Sequence, residues 1–433
     1  MKTSNYIAVI ADDLTGANDT SLQFFLQGCK TQVSFGGDLS IDESLNTEVF
    51  AMSTETRNAT VDIARERVKN AAEKILKEYN FEYIYKKIDS VLRGNIAAEI
   101  GILIKTLEMD AAIIFPAFPS EGRTTIGGYH LVKGVPLQRT DVSRDPACPI
   151  MESNIVNLLK GQLSEEESQN VDLISLDIIM KGAGPILTKL NELISKGKKY
   201  IVADAVSTTD LEQIALAVTK SNYKILPCGS AGAAQALSKI WHPDDETKKL
   251  EEPEVPDLPK FVVSGSATDL TASQIKRLQE NDNIENTYFI AIKPQNIFSD
   301  DYEEVAKRVI NNLKNNIIVI LHSSCLIDNT DELNSLLIEH EITKETFISK
   351  ICDYLAAVTR IVISQKPAIL ITVGGETSFK CCRAVGSKNL QILDTVAPAI
   401  PLGIDHKGQF IVTKSGNLGT QNTLIDIIKY FEQ

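Results

Sequence analysis

The sequence predicts an α/β protein of two domains, each a mostly parallel sheet flanked by helices, with the active site in the cleft between them. Three observations predict it. Short β-branched runs alternate with amphipathic stretches along nearly all of the 433 residues. A charged segment at 242–260 holds four of the fifteen prolines (Pro243, Pro253, Pro256, Pro259) and interrupts that alternation as a semi-rigid linker does. The polar and glycine-rich junctions fall at the carboxyl ends of the predicted strands, where parallel α/β sheets bind ligands. Length alone suggests about two or three domains. The interruption divides the chain into 1–250 and 251–433.

In the first domain, strands are expected at 6–11, 31–35, 48–52, 82–86 and 111–115, with helices at 62–77 and 95–107. "YIAVIADDLTG" opens as a central strand and ends on two adjacent carboxylates, Asp12 and Asp13. Capping the next helix needs one carboxylate, so the pair invites a second role. "STETRNAT" follows the third strand with Arg57 in its turn. "YKKIDSVLRGN" places Lys86, Lys87, Asp89, Ser90, Arg93, Gly94 and Asn95 at the next strand-to-helix passage. Asp12, Asp13, Arg57, Lys87, Asp89, Ser90 and Arg93 therefore gather at one sheet edge. They supply hydroxyl acceptors and carboxylate-binding cations, a set suited to a small polyhydroxy acid, although each alone also reads as a solvated loop residue. The stretch 115–146 is long, glycine-rich and without period, and loops of that kind inside a compact domain are usually functional.

The second domain restarts the alternation with a strand at 261–263, the turn Ser264-Gly265-Ser266, and a helix capped by Thr268 or Asp269. A second junction joins the strand 368–373 through Gly374 and Gly375 to a helix opening near Glu376 and Thr377. A third, "VTKSGNLGT", sets Lys414 beside Gly416 and Gly419. Glycine lets a backbone approach phosphate closely, and a helix N-terminus offers unpaired N–H groups. Three such junctions in one domain point to a phosphate-rich ligand such as a nucleotide. None matches the P-loop or the dinucleotide fingerprint.

The composition narrows the partners. Hydrophobic content of 43% and charged content of 23% are ordinary for a globular chain. A net charge of −13 argues against nucleic acid or an anionic membrane as main partner, because both demand a basic face. Small anions need only a local cluster of cations. The first apolar run stops at Asp12, unlike the core of a signal peptide, and "NIIVIL" at 316–321 falls far short of the ~18 residues of a membrane span. The expected compartment is the cytoplasm. Seven cysteines without a C-x-x-C pair read as reduced, mostly buried thiols, the adjacent Cys381 and Cys382 included. Five histidines without a ligand pattern argue against a zinc enzyme. There is no internal repeat or low-complexity tract.

The motifs "ADDLTGANDT", "KKIDSVLRGN", "FPAFPSEGRTTIGGYHLVKGVPL", "SRDP", "VVSGS", "VGGETS", "APAIPLG" and "VTKSGNLG" occur in order along almost the whole chain. In this the sequence resembles the four-carbon acid sugar kinases. The resemblance implies phosphorylation of the terminal (C4) hydroxyl of D-threonate or D-erythronate by ATP, with 3-oxo-tetronate the alternative acceptor. It implies a sugar-acid domain first and an ATP domain second. By motif, Asp12, Asp13, Arg57, Lys87, Asp89 and Ser90 are placed near the sugar acid, and the strand-to-helix passage itself adds Arg93 to them. Ser264, Gly374, Gly375, Glu376, Thr377 and Gly416 are placed near ATP, and the glycine junctions themselves add Gly265, Ser266 and Lys414. Val91 stands where the family commonly has Thr, and "KSGNLG" replaces a commoner "KAGGFG". Asp13 is the expected general base, while Asp12 orients a hydroxyl or helps hold Mg²⁺, whose ligands are not assigned. Two other classes stay open: an aspartyl-nucleophile phosphatase, and a non-catalytic module that binds acidic sugars. Homo-oligomerisation is also open.

Overall fold

The computed structural model describes residues 6–36, 47–78, 81–145, 148–242, 252–281, 284, 286–299, 301–314, 318–324 and 330–432. The backbone separates into two compact units, Met1–Leu250 and Glu251–Gln433. Of the expected linker, 243–251 lies outside the described residues and 252–259 carries neither helix nor strand. Pro146 and Cys325 also lie outside them.

The first unit contains β1 (Tyr6–Ala11), β2 (Thr31–Phe35), β3 (Val49–Ser53), β4 (Phe81–Lys87), β5 (Ala111–Phe115), β6 (Arg123–Ile126), β7 (Tyr129–Val132), β8 (Val135–Pro136), β9 (Val171–Ile174), β10 (Tyr200–Ala203) and β11 (Ile225–Gly229). Its main sheet runs β2-β3-β1-β4-β11-β5-β10-β9, with every described pairing parallel. Burial on both faces explains the unbroken apolar run of β1. Ala8 and Ile10 pack on one side against a cluster with Val68, Ala72 and Ile75 of helix Val61–Glu78 and Ile96, Ile100 and Leu103 of helix Ile96–Thr106.

The topology fixes where a ligand can sit. From β1 the chain passes to β2, returns to β3 beside β1, and then crosses to β4 on β1's other flank. The direction of winding reverses there, and such a reversal opens a crevice at the carboxyl ends of the strands. Asp12, Arg57 and Asp89 follow the three strands that meet at the reversal.

The second unit contains β12 (Lys260–Ser264), β13 (Thr287–Ala291), β14 (Ile318–His322), β15 (Ile369–Val373), β16 (Asn389–Ala397), β17 (Ile400–Asp405) and β18 (Phe410–Lys414), in the order β13-β14-β12-β15-β18-β17-β16. The pairings from β13 to β18 are parallel, and the β18–β17 and β17–β16 pairings are antiparallel. The wiring around β12 (β13-β14-β12-β15) repeats the wiring around β1 (β2-β3-β1-β4). Its reversal therefore lies beside Ser264. The sequence shows no repeat, yet the backbone uses one solution twice.

One expectation changes. Part of 115–146 is not a loop: β6, β7 and β8 form a small antiparallel sheet. Gly127-Gly128 and Lys133-Gly134 turn its two hairpins, with φ of 59° and 77° in the first and 51° and 79° in the second. Two successive positive φ values are what a tight right-twisted hairpin needs. Strands of four, four and two residues are too short to register as periodicity. No helix among the described residues is long and apolar enough to cross a membrane.

Candidate active site

Asp13 is the N-cap of helix Leu14–Phe25. Its Oδ1 accepts from the backbone N–H of Gly16 at 2.8 Å, and its Oδ2 accepts from the Thr15 hydroxyl at 2.7 Å. Capping therefore accounts for one of the two carboxylates. What lets the pair coexist is Arg57. Its Nε donates to Asp12 Oδ2 at 2.7 Å, while Nη1 and Nη2 donate to Asp13 Oδ2 and Oδ1 at 2.6 and 2.7 Å. Nη2 also lies 3.6 Å from Asp89 Oδ1. Backbone bonds hold the β3 turn in place, with the N–H groups of Thr56 and Arg57 donating to the Asp12 carbonyl at 2.9 and 3.3 Å. A fork with donors on two edges thus clamps two acids that would otherwise repel. Although burial opposes ionisation of Asp12, Arg57, Lys86 and Lys87 hold its carboxyl below the ordinary carboxylate range. Asp12 Oδ1 is buried and has no hydrogen-bond partner among the described residues.

The β4 passage is organised the same way. Arg93 donates through Nε to Asp89 at 2.7 Å and pairs through Nη1 with Asp145 at 3.0 Å. Burial opposes the charge on Asp89, but Arg93 and Arg57 win and hold it well below its ordinary value. Lys86 points away to a fully buried pair with Glu99 at 2.6 Å. Lys87 turns to the ligand edge, donating to the Ile88 carbonyl at 2.9 Å. It lies over the first turn of helix Leu14–Phe25, where a Cβ at Gly16 would come within 2.8 Å of its Nζ. A side chain at that position would push the Lys87 ammonium and the Asp13 cap aside. Ser90 is half-buried in the turn, and its carbonyl accepts from Nε2 of His130, whose Nδ1 accepts from Thr125. Burial pushes the His130 imidazole down to about 4, so a neutral ring from the small sheet fixes the Ser90 turn.

In the second unit the three glycine junctions converge. Gly265 N–H donates to the Val373 carbonyl at 3.3 Å, and Gly374 N–H donates to the Lys414 carbonyl at 2.8 Å. A Cβ at Gly265 would meet Thr377 Oγ1 at 2.4 Å, and one at Gly416 would meet Ser266 Oγ at 2.3 Å. Both glycines are thus required for the loops to touch one another, whatever else they approach. Gly374 has φ of 110°, and helix Gly375–Ala384 opens directly from it. Thr268 caps helix Asp269–Gln279, and its hydroxyl donates to the Gly416 carbonyl at 3.0 Å. Thr377 is buried at this junction, whereas Glu376 lies on the surface of its helix, paired with Lys380 at 3.2 Å. Ser264 Oγ is buried without a hydrogen-bond partner among the described residues. Lys414 is fully buried and donates to the Ser415 carbonyl at 2.8 Å; burial drives its amine down to about 7.

Four further groups join these edges that sequence reasoning did not single out. Glu55 adopts a left-handed backbone, φ 50°, held by Arg67 Nη1 on its carbonyl at 2.7 Å. Burial pushes its carboxyl up to about 8 despite a hydrogen bond from Ser53. Strain of this kind collects at functional sites. Asp19, two turns into helix Leu14–Phe25, has a carboxyl raised by burial to about 6 and an unpartnered buried Oδ1. Arg123 begins β6. His322 ends β14 directly beside Ser264 in the sheet register. The available signal was position for three of them: Glu55 follows a strand, His322 ends one and Asp19 sits on the helix that follows one, whereas Arg123 opens a strand too short to register. Among the described residues no cluster of three or more acidic, histidine or cysteine side chains is placed to hold a metal unaided.

Both halves of the chain match family models. A family model described as a sugar-binding N-terminal domain matches residues 7–237, and one described as a nucleotide-binding C-terminal domain matches 261–424. The D-threonate kinase of Salmonella typhimurium is 30% identical, over 98% of this chain and 98% of its own. The D-erythronate kinase of Heliobacterium modesticaldum is 28% identical, over 98% of this chain and 96% of its own. A Haemophilus influenzae crystal structure shares the fold with a TM-score of 0.72 at 24% identity, covering 98% of this chain and 100% of that one. With paired sugar-binding and nucleotide-binding domains and kinase relatives aligned over nearly its full length, the chain belongs to the four-carbon acid sugar kinase family.

Proposed function

We propose that the chain transfers the γ-phosphate of ATP to the terminal C4 hydroxyl of a four-carbon sugar acid, D-threonate or D-erythronate. The observation that carries this reading is the pair of strand-order reversals. One is lined by Asp12, Asp13, Arg57, Lys87, Asp89, Ser90 and Arg93 in the unit that matches a sugar-binding domain. The other is lined by Ser264, Gly265, Ser266, Gly374, Gly375, Thr377, Lys414 and Gly416 in the unit that matches a nucleotide-binding domain. Glu376, at the surface in its pair with Lys380, is the member of the expected ATP set least favoured by its surroundings. The reading puts the enzyme in the cytoplasm, where ATP is supplied.

In this reading Asp13 accepts the proton of the attacking hydroxyl and Asp12 orients that hydroxyl. Phosphoryl transfer asks mostly for positioning and for neutralisation of developing charge. The N–H groups of Gly265 and Gly374 are taken by the Val373 and Lys414 carbonyls, so the backbone donors that meet the phosphates are those of the first turn of helix Gly375–Ala384, with the Gly416 bend beside them. Mg²⁺ fits the donors present, because it takes one or two carboxylates plus phosphate oxygens rather than a full protein cage. Asp12 Oδ1, a buried acceptor with no partner among the described residues, is a carboxylate oxygen at this edge open to it. When bound, Mg²⁺ would neutralise charge on the β- and γ-phosphates. The direct test is ADP release by the purified protein across a panel of four-carbon sugar acids. ADP formed only when D-threonate or D-erythronate is present supports the reading. ATP consumption indifferent to the acid, or a trapped aspartyl-phosphate, overturns it.

Lys414 gives a second readout. A phosphate beside a neutral buried amine restores its proton, so nucleotide binding should raise its affinity for H⁺. The amine is largely neutral above about pH 7 and charged below it. ATP binding at pH 8 should therefore take up close to one proton, with the uptake fading as pH falls toward 6. Calorimetry in buffers of different ionisation enthalpy measures this, and Lys414→Met should abolish it. Equal apparent enthalpies in all buffers at pH 8 would remove Lys414 from the phosphate site.

A further inference from the structure

The sugar-acid edge presents five cations, and three are already spent. Arg57 is charge-paired with Asp12 and Asp13, Arg93 with Asp89 and Asp145, and Lys86 with Glu99. A substrate carboxylate on any of these would have to share a positive charge already neutralised by buried acids, or displace one of them and leave it uncompensated. Lys87 is different. It is buried, bonded to a carbonyl, and among the described residues no carboxylate lies within ion-pair distance of it. Arg123 is different too. Its Nε is buried without a hydrogen-bond partner, and its nearest acid, Glu121, stands 3.9 Å from Nη1 and is partly exposed. The two cations sit on joined elements: Arg123 opens the small sheet whose His130 donates to the Ser90 carbonyl, three residues beyond Lys87, and both act electrostatically on Asp19. Lys87 crosses Gly16 in the first turn of helix Leu14–Phe25, and the backbone of Arg123 is fixed by its pairing with Phe118.

We propose that Arg123 and Lys87 together bind the C1 carboxylate of the substrate, so that the small β6–β8 sheet supplies the group that tells a sugar acid from a neutral sugar alcohol. A guanidinium with an unsatisfied buried donor is matched to one carboxylate oxygen, and the ammonium to the other. Arg57 and Arg93 then serve to hold the enzyme's own acids. This assignment rests on the sugar-acid kinase reading.

The test compares phosphorylation of the accepted four-carbon acid with that of the corresponding tetritol, which has the same hydroxyls and no carboxylate. Arg123→Met should raise KM for the acid by ~10–100-fold, the scale of a lost charge-assisted hydrogen bond. KM for ATP should stay unchanged, and the acid-over-tetritol ratio of kcat/KM should shrink by the same factor. Arg123→Lys should recover part of the loss. If Arg123→Met does not fold, Lys87→Met carries the same expectation. A wild-type protein that phosphorylates no four-carbon acid overturns the functional reading and this inference with it. A wild-type that does so, with an unchanged acid-over-tetritol ratio in the folded variant, overturns this inference alone.

Discussion

Asp13→Asn should lower turnover by ~10²-fold or more, the usual scale of a lost general base, while ATP still binds. The substitution is chosen for what it spares. Asn caps a helix about as well as Asp, so the Gly16 N–H keeps an acceptor and helix Leu14–Phe25 keeps its start. What goes is the negative charge and one of the oxygens that Arg57 now grips. The grip is no obstacle to the proposed role. In a loose transition state the hydroxyl proton leaves late, so orientation and charge near the acceptor oxygen matter more than high basicity. Single-turnover kinetics with the accepted sugar acid, beside calorimetric ATP titration and thermal unfolding, separates chemistry from binding and folding. Near-normal turnover in a folded variant would take the base role from Asp13. The half-buried, strained Glu55, whose carboxyl is pushed up to about 8, would then be the next group to substitute.

How much of this was legible in the sequence follows from how far each signal travels along the chain. Tyr6–Ala11 and Ala111–Phe115 are apolar runs buried on both faces, Thr31–Phe35 alternates Thr, Val and Phe with the polar Gln32 and Ser34, and all three fall where the pattern places them. The carboxyl-edge rule brought Asp12, Arg57, Asp89 and Arg93 together, because in a parallel sheet every such edge lies on one side. Partnership was not legible. That Arg57 clamps both acids, or that Lys86 turns inward to Glu99 while adjacent Lys87 turns outward, depends on strand pleat and on helix Ile96–Thr106 packing behind. Arg123 and His130 were hidden by the brevity of β6 and β7. In the second unit the glycines were read as room for phosphate. Gly265 and Gly416 prove equally to be room for Thr377 and Ser266, a long-range contact that no local pattern encodes.

Arg57→Met should cost about 3–5 kcal/mol of stability at neutral pH, the range for breaking a buried ion pair from one side. The guanidinium is the counter-charge for Asp12 and Asp13 and lies within 3.6 Å of Asp89; its removal leaves three acids with low exposure facing one another. Lys86 and Lys87 still act on Asp12, which keeps the loss from being larger. Arg57→Lys should recover little, since one ammonium cannot span the edges that Nε, Nη1 and Nη2 serve. The pH dependence fixes the cause. In the wild type the carboxyls of Asp12 and Asp89 are lowered in the fold, so their contribution is present above about pH 4 and fades only as pH falls through and below that value. In the variant, burial of these acids is opposed by less positive charge, their proton affinity rises, and stability should fall as pH climbs from about 4 toward 7. The gap between variant and wild type should therefore narrow on moving from pH 7 to pH 5. Denaturant unfolding at the two pH values measures it. A deficit below about 1 kcal/mol, or one that does not change with pH, would mean that the acids at this edge are not held by Arg57.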